Sequence, residues 1–264
     1  MKSNNKKFFD TNGFAIIQGK FINEINEVKK EVLDYLNFHA KKNGLINKKE
    51  SNYDLLVKKL MKPKTKLRTF IYDSVPLLPS VQALNHHPQL KKILKSLGYK
   101  NPISSDVANI RFDIKKKNEV KFLRGIHQDV RSIKSKKTVT IWIPLTKVDY
   151  QNGSVAMYPK TQNKGIYKHS YNPNLLVPEK YLPKSFDKME KNKFVIDANP
   201  GDIAIFNCFT LHRSEISKVD KIRSCVQLTY TDLNELNHKD GLFFLSKNFK
   251  AFAHKDKSLK STLN

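Results

Sequence analysis

Cysteine is nearly absent. Cys208 and Cys225 are the only two in 264 residues, too few for a disulfide scaffold, and neither belongs to a Cys-x-x-Cys metal pair. Both fall in runs that read as strands, where a buried thiol behaves as a small hydrophobe. Also missing is any run of the roughly 18 uninterrupted apolar residues that a membrane helix needs. The opening MKSNNKKFFDTNGFAII is basic but has no apolar stretch of leader length. The expectation is a cytoplasmic protein with no membrane partner. Acidic residues are in the minority, 24 against 49 basic ones, for a formal charge of +25. Such an excess is the usual footprint of a nucleic-acid binder, yet only six of the 49 are arginine. The lysines are scattered among asparagine and isoleucine rather than interleaved with aromatics in one segment. Nucleic acid is therefore not the expected partner. In a chain so biased toward lysine, a retained arginine points to a need for the planar, two-pronged guanidinium. Five of the six lie within 16 positions of His127 or His212.

What is present is a globular composition, 39% hydrophobic and 10% aromatic. Ile22, Ile25, Val28, Val32 and Leu36 recur at helical spacing and predict a helix over 21–40, stopped near Gly44. Residues 41–66 are lysine-rich around one apolar patch, Tyr53 to Met61, read as a loop or short helix. Residues 77–97 predict two further helices, with Pro88 in a first turn and Gly98 as a C-cap. From about residue 103 the pattern changes to short β-prone runs: 103–114, 137–146, 154–158, 194–197, 203–207 and 223–231. They are broken at Asn152-Gly153, at Asn199-Pro200-Gly201-Asp202 and over 214–222. Helices first and many short strands after them predict a mainly β core, a sandwich or barrel, with flanking α-helices. One domain is expected, with a helical layer over about 1–100, the β core over about 101–235, and a polar, peripheral tail over about 247–264.

The chemistry concentrates in a His-x-Asp pair. On a strand, residues two apart share a face, so such a pair can supply two corners of a metal site. Two histidines and a carboxylate on one face of an octahedron suit Fe(II) that activates O2. The pair occurs three times, at His127/Asp129, His238/Asp240 and His254/Asp256. The last two are His-Lys-Asp in lysine-rich, non-strand surroundings and read as solvated surface. His127/Asp129 precedes a strand, and several more follow before His212. That histidine closes the run Gly201 to His212, where Ala204, Phe206, Cys208 and Thr210 would share its face. Ser214 stands two residues on. Arg223 opens the next strand, where its fork could reach back to a ligand carboxylate with the serine hydroxyl beside it.

With those residues in place the chain resembles the phytanoyl-CoA dioxygenase family of Fe(II)/2-oxoglutarate oxygenases. The matching stretches are His127-Gln-Asp129, Thr140-Ile-Trp142-Ile-Pro-Leu145, Asn152-Gly153-Ser154 before Tyr158-Pro159, and Gly201-Asp202 through His212-Arg-Ser214 to Arg223. Asn12-Gly13-Phe14-Ala-Ile-Ile17 also looks like the family's entry segment. The resemblance covers about residues 8–235. It implies a double-stranded β-helix, a cupin-like jelly roll, with iron held by His127, Asp129 and His212. Arg223 and Ser214 match the positions that bind the distal carboxylate of 2-oxoglutarate. Trp142 matches an aromatic position near that cosubstrate, and Arg111 resembles a strand arginine near cosubstrate or substrate. The implied reaction hydroxylates a small molecule, an anionic one being among the candidates, while O2 and 2-oxoglutarate are consumed and succinate and CO2 released. Halogenating relatives have a small residue where this chain has Asp129, so halogenation is not implied. Many members carry Pro-Gly-Ser-His where this chain reads Pro159-Lys160-Thr161-Gln162. A differently shaped loop is expected there, and phytanoyl-CoA does not carry over as substrate.

Three other classes fit the sequence less well. A jelly-roll scaffold without catalysis has no use for the Arg223 and Ser214 clamp. A zinc- or manganese-dependent hydrolase or isomerase gives no reason for an arginine eleven residues after the last ligand. Nucleic-acid binding rests on charge alone. Lys58, Lys59, Lys62, Lys64 and Lys66, with Arg68, could line an entrance for an anion or simply form a solvated basic face.

Overall fold

The computed structural model describes residues 3–62, 65–104, 108–114, 126–129, 137–167, 186–215 and 217–236. Helix α1 (Ser3–Asn12) leads into strand β1 (Phe14–Ile17) and the long helix α2 (Ile22–Lys42). Ile25, Val28, Val32 and Leu36 form a fully buried stripe, as their spacing predicts, whereas Ile22 is 51% exposed. Ile22 lies at the helix start, against Gly201. The apolar patch after Gly44 is helix α3 (Tyr53–Leu60), begun by Asn52, whose side chain accepts the Leu55 N–H. Helix α4 (Lys66–Ser74) begins where the lysine-rich stretch ends and was not anticipated, and Thr65 caps it in the same manner. Helices α5 (Pro79–Asn85) and α6 (Pro88–Ser96) follow, with Pro88 in the first turn and Gly98 just past the end at φ +96°. Among the described residues no helix is long and apolar enough to cross a membrane.

The β core comprises β2 (Pro102–Ser104), β3 (Asn109–Asp113), β4 (Thr138–Pro144), β5 (Val155–Met157), β6 (Phe194–Val195), β7 (Ile203–Asn207), β8 (His212–Ser214) and β9 (Arg223–Asp232). A short helix α7 (Phe186–Lys191) precedes β6. All described pairings are antiparallel. The larger sheet runs β1-β7-β4-β9-β2, with β3 also on β9, and the smaller runs β6-β5-β8. Within these residues the sheets face each other as two layers, a jelly-roll core without a closed barrel. Strand β4 divides the interior. Val139, Ile141 and Ile143 pack with the helices in one cluster, while Trp142 faces a second cluster with Ala204, Phe206 and Cys225. The alternation of a strand thus separates a structural face from a face that looks into the site.

Two expectations need correction. The run ending at His212 is not one strand. Strand β7 stops at Asn207, whose side-chain oxygen accepts the Phe209 N–H at 2.8 Å while its carbonyl accepts the Thr210 N–H. This turn carries the chain to the other sheet, so His212 begins β8 and Cys208 sits in the turn. Both thiols are nonetheless buried, and burial pushes Cys208 up to about 12 and Cys225 up to about 11; they remain protonated hydrophobes. Strand geometry also served to argue that His127 and Asp129 share a face, but among the described residues the pair joins the smaller sheet through the His127–His212 bridge and not as a regular strand. The tail from 247 and the pairs at 238/240 and 254/256 lie outside the described residues.

The helical layer is tied to the last strand by Asp232, whose carboxylate accepts the N–H groups of Lys100 (2.7 Å) and Asn101 (3.0 Å) and pairs with Lys137 (3.2 Å). Burial works to raise this carboxyl, but those donors outweigh it and bring it down to about 2. A depressed carboxyl stabilises the fold above the unfolded value near 4, and the contribution is lost as pH falls toward 2. Asp232→Asn is expected to lower stability at neutral pH by about 2 kcal/mol. It should also flatten the loss of stability between about pH 4 and 2. Urea titrations across that range read both effects; parallel curves for the two proteins would refute the assignment.

Candidate metal centre

His127 and His212 are brought together by their own backbones. The His127 N–H donates to the His212 carbonyl at 2.9 Å, and the His212 N–H returns to the His127 carbonyl at 3.0 Å. The imidazoles lie side by side with ring centroids 4.0 Å apart. Asp129 completes the group. Its Oδ1 is 3.5 Å from His127 Nε2 and 3.7 Å from His212 Nε2, and one donor atom from each residue lies within 4.8 Å of the others. All three side chains are buried.

Neighbouring groups orient each donor. Thr140 on β4 donates its hydroxyl to Asp129 Oδ2 at 2.6 Å, which leaves Oδ1 facing the histidines. His212 Nδ1 lies 3.0 Å from the Thr210 carbonyl. With the proton on Nδ1, that bond directs the lone pair of Nε2 into the site, the arrangement a metal requires. Gln128, between two of the donors, is buried with its amide satisfied by backbone. It donates to the carbonyls of Gly165 (2.8 Å) and Phe209 (2.7 Å) and accepts the Tyr167 N–H (3.0 Å). The divergent loop after Pro159 braces the other side. Lys160 takes a left-handed φ of +66°, a conformation glycine adopts freely. The Thr161 hydroxyl donates to the Tyr158 carbonyl and accepts the N–H of Leu211, beside His212.

Arg223, 4% exposed, spans the two sheets. From β9 it donates through Nη2 to Ser214 Oγ on β8 at 3.3 Å and through Nη1 to the Ser154 carbonyl. Ser154 is presented by the Asn152-Gly153 turn, which needs glycine: φ is +79°, and a Cβ would stand 2.9 Å from the Ser217 backbone nitrogen. The other edge of the guanidinium, Nε and Nη2, grips Oδ2 of Asp113, with Nε at 2.9 Å. Arg111 holds Asp113 Oδ1 at 3.2 Å. Burial would raise Asp113, but Arg223 and Arg111 outweigh it and hold the carboxyl below its ordinary value.

One cavity is lined by His127, His212, Trp142, Ser214, Arg111 and Arg223, so the site residues expected from sequence converge, with Asp129 facing both histidines. Three contributors were not anticipated: Thr140, Gln128 and Asp113. Thr140 was legible in principle, two residues before Trp142 and therefore on the same strand face. Arg213, though beside His212, engages Glu190 and Glu215. Lys58 pairs with Asp220, Lys59 donates to the Leu45 carbonyl, and Arg68 stacks on Tyr72. None of the described members of that basic group lines the cavity, and Lys64 lies outside the described residues.

A two-sheet jelly-roll core that brings two histidines and one carboxylate together has the donor set that a mononuclear metal site of the oxygenase type uses. The chain belongs to the phytanoyl-CoA dioxygenase (PhyH) family, which matches residues 9–225. No curated protein sequence matches the chain. Among solved structures it is similar to the epimerase SnoN in complex with Fe3+, alpha ketoglutarate and nogalamycin RO. The TM-score is 0.61 at 12% identity, covering 87% of this chain and 82% of that one. EctD from S. alaskensis with 2-oxoglutarate and 5-hydroxyectoine gives a TM-score of 0.60 at 13% identity, covering 89% and 77%. The non-heme monooxygenase ThoJ gives 0.59 at 15%, covering 86% and 76%. At these identities the likeness is one of fold.

Proposed function

We propose that the protein is an Fe(II)- and 2-oxoglutarate-dependent dioxygenase that hydroxylates a small molecule with release of succinate and CO2. The observation that carries this reading is the buried His127, Asp129, His212 group, whose two histidines line the same cavity as Arg223 and Ser214. Each residue then has a role. His127 and His212 offer neutral nitrogens, and Asp129 offers Oδ1 while Thr140 holds Oδ2. Arg223 and Ser214 receive the distal carboxylate of the cosubstrate, with Arg111 supporting the charge and Trp142 forming an apolar wall. When bound, the iron supplies the oxidising chemistry through O2 and the 2-oxo acid; the protein supplies ligands, orientation and exclusion of water.

Charge supports the choice of cosubstrate. Iron(II) with one carboxylate keeps one positive charge, and the buried Arg223 guanidinium is a second cation beside it. A dianionic 2-oxo acid matches both, and buried charges need such compensation. A monoanionic partner would match only one of them and a neutral partner neither.

The test is anaerobic. Purified apo-protein receives Fe(II) and then 2-oxoglutarate, and the weak visible charge-transfer band of chelated iron is followed. The band should rise to saturation with 2-oxoglutarate, and succinate release should then be stimulated by the true substrate in a screen of small molecules. A folded, iron-binding protein that gives no band at any concentration would sink the oxygenase reading. Product analysis separates hydroxylation from epimerisation, the activity named for SnoN.

A further inference from the structure

Asp113 is the unusual member of the site. It is carried on β3 directly opposite Arg223 of β9 in the strand register, and its side chain is 12% exposed. Its Oδ2 receives Nε and Nη2 of Arg223, the edge best suited to gripping a carboxylate. The Ser154 carbonyl and Ser214 hydroxyl take two more donors. Of the five N–H groups of this arginine, one remains. The cavity beside it is about 30 Å³, on the order of the volume of one water molecule. A ligand carboxylate that is to be held by Arg223 must therefore displace acceptors already there. Ser154 offers a main-chain carbonyl fixed by its turn. Asp113 has a second partner to retreat to, since its Oδ1 is already held by Arg111.

We propose that Asp113 is an internal counter-carboxylate that sets the affinity for 2-oxoglutarate. It occupies the gripping edge of Arg223 and yields it to the distal carboxylate by shifting onto Arg111. This inference rests on the dioxygenase reading above and extends it to a residue with a defined and opposite effect from the arginines. Two carboxylates competing for one guanidinium raise the concentration of cosubstrate needed, and Asp113 also offsets part of the positive charge of Arg111 and Arg223 when no cosubstrate is bound.

The experiment is a titration of 2-oxoglutarate into the anaerobic Fe(II) protein, read by the visible band and independently by calorimetry. The proteins are wild type, Asp113→Asn and Asp113→Ser, which leave Arg111 and Arg223 in place. The serine variant stands in should the asparagine variant not fold. Half-saturating 2-oxoglutarate is expected to fall about tenfold in Asp113→Asn, and in the same direction in Asp113→Ser, with Fe(II) affinity unchanged. A folded variant that binds 2-oxoglutarate no more tightly than wild type overturns the role of Asp113. No binding to the wild type itself is a separate result, and it overturns the cosubstrate assignment instead.

Discussion

His127→Ala is expected to abolish Fe(II) binding at concentrations that saturate the wild type. Loss of one of three protein ligands exceeds the roughly 10- to 100-fold effect typical of residues that merely orient ligands. A fall of about 10³-fold or more, some 4 kcal/mol, is the reasonable floor. The fold should survive, because the bond network linking His127 to His212 is made by backbone and persists in the variant. Calorimetric titration of Fe(II), or of Mn(II) as an air-stable substitute, measures the change, and a thermal melt in the presence of chelator checks the fold. Iron affinity within a few-fold of wild type would mean that His127 is not a ligand.

The second large effect separates cosubstrate from metal. Arg223→Ala should leave Fe(II) affinity near wild type and weaken 2-oxoglutarate by about 2–5 kcal/mol, roughly 30- to 5,000-fold, the range for truncating one side of a buried charge pair. The loss combines two causes. The distal carboxylate no longer meets a guanidinium, and Asp113 is left with Arg111 alone, a carboxylate facing a carboxylate. The variant should also be less stable, since breaking a buried pair is strongly destabilising. Titration of the charge-transfer band gives the binding loss and chemical denaturation the stability. A band that saturates at the wild-type concentration would remove Arg223 from the cosubstrate site.

Most of the fold was legible because local rules and tertiary packing agree. The apolar stripe from Ile25 to Leu36, the proline start and glycine stop around α6, and the run from Arg223 to Thr231 each carry their period in the residues themselves. Helix α4 was not legible. Lys66-Leu-Arg-Thr-Phe-Ile-Tyr-Asp-Ser mixes charge and aromatics without a clear stripe, and only Ile71 is fully buried. The candidate site was legible in the three donor groups that the fold brings together, since two histidines and an aspartate at that spacing carry chemistry on their face. Its supporting residues were hidden for a physical reason. Gln128 and Asp113 act through partners far away in sequence: Asp113 meets Arg223 across 110 positions, and Gln128 meets Phe209 across 81. Thr140 is only 11 positions from Asp129, and its strand face was legible but its role was not. Nothing local marks a threonine as the holder of a carboxylate. The switch of sheets between Asn207 and His212 was likewise masked, because a turn stabilised by an asparagine side chain interrupts what still looks like one apolar run.

That switch also bears on how the protein depends on its metal. His127 and His212 belong to the smaller sheet, while Asp129 is held by Thr140 of the larger one. A metal ion bonded to all three is therefore a staple between layers, and what binds the assembled fold alone shifts the folding equilibrium by mass action. Free metal at a hundred times its dissociation constant adds about 2.7 kcal/mol, a sizeable share of the 5–15 kcal/mol typical of a domain. The pool of intact protein would then follow the supply of iron, and starvation for the metal would register as loss of the polypeptide as well as loss of its activity.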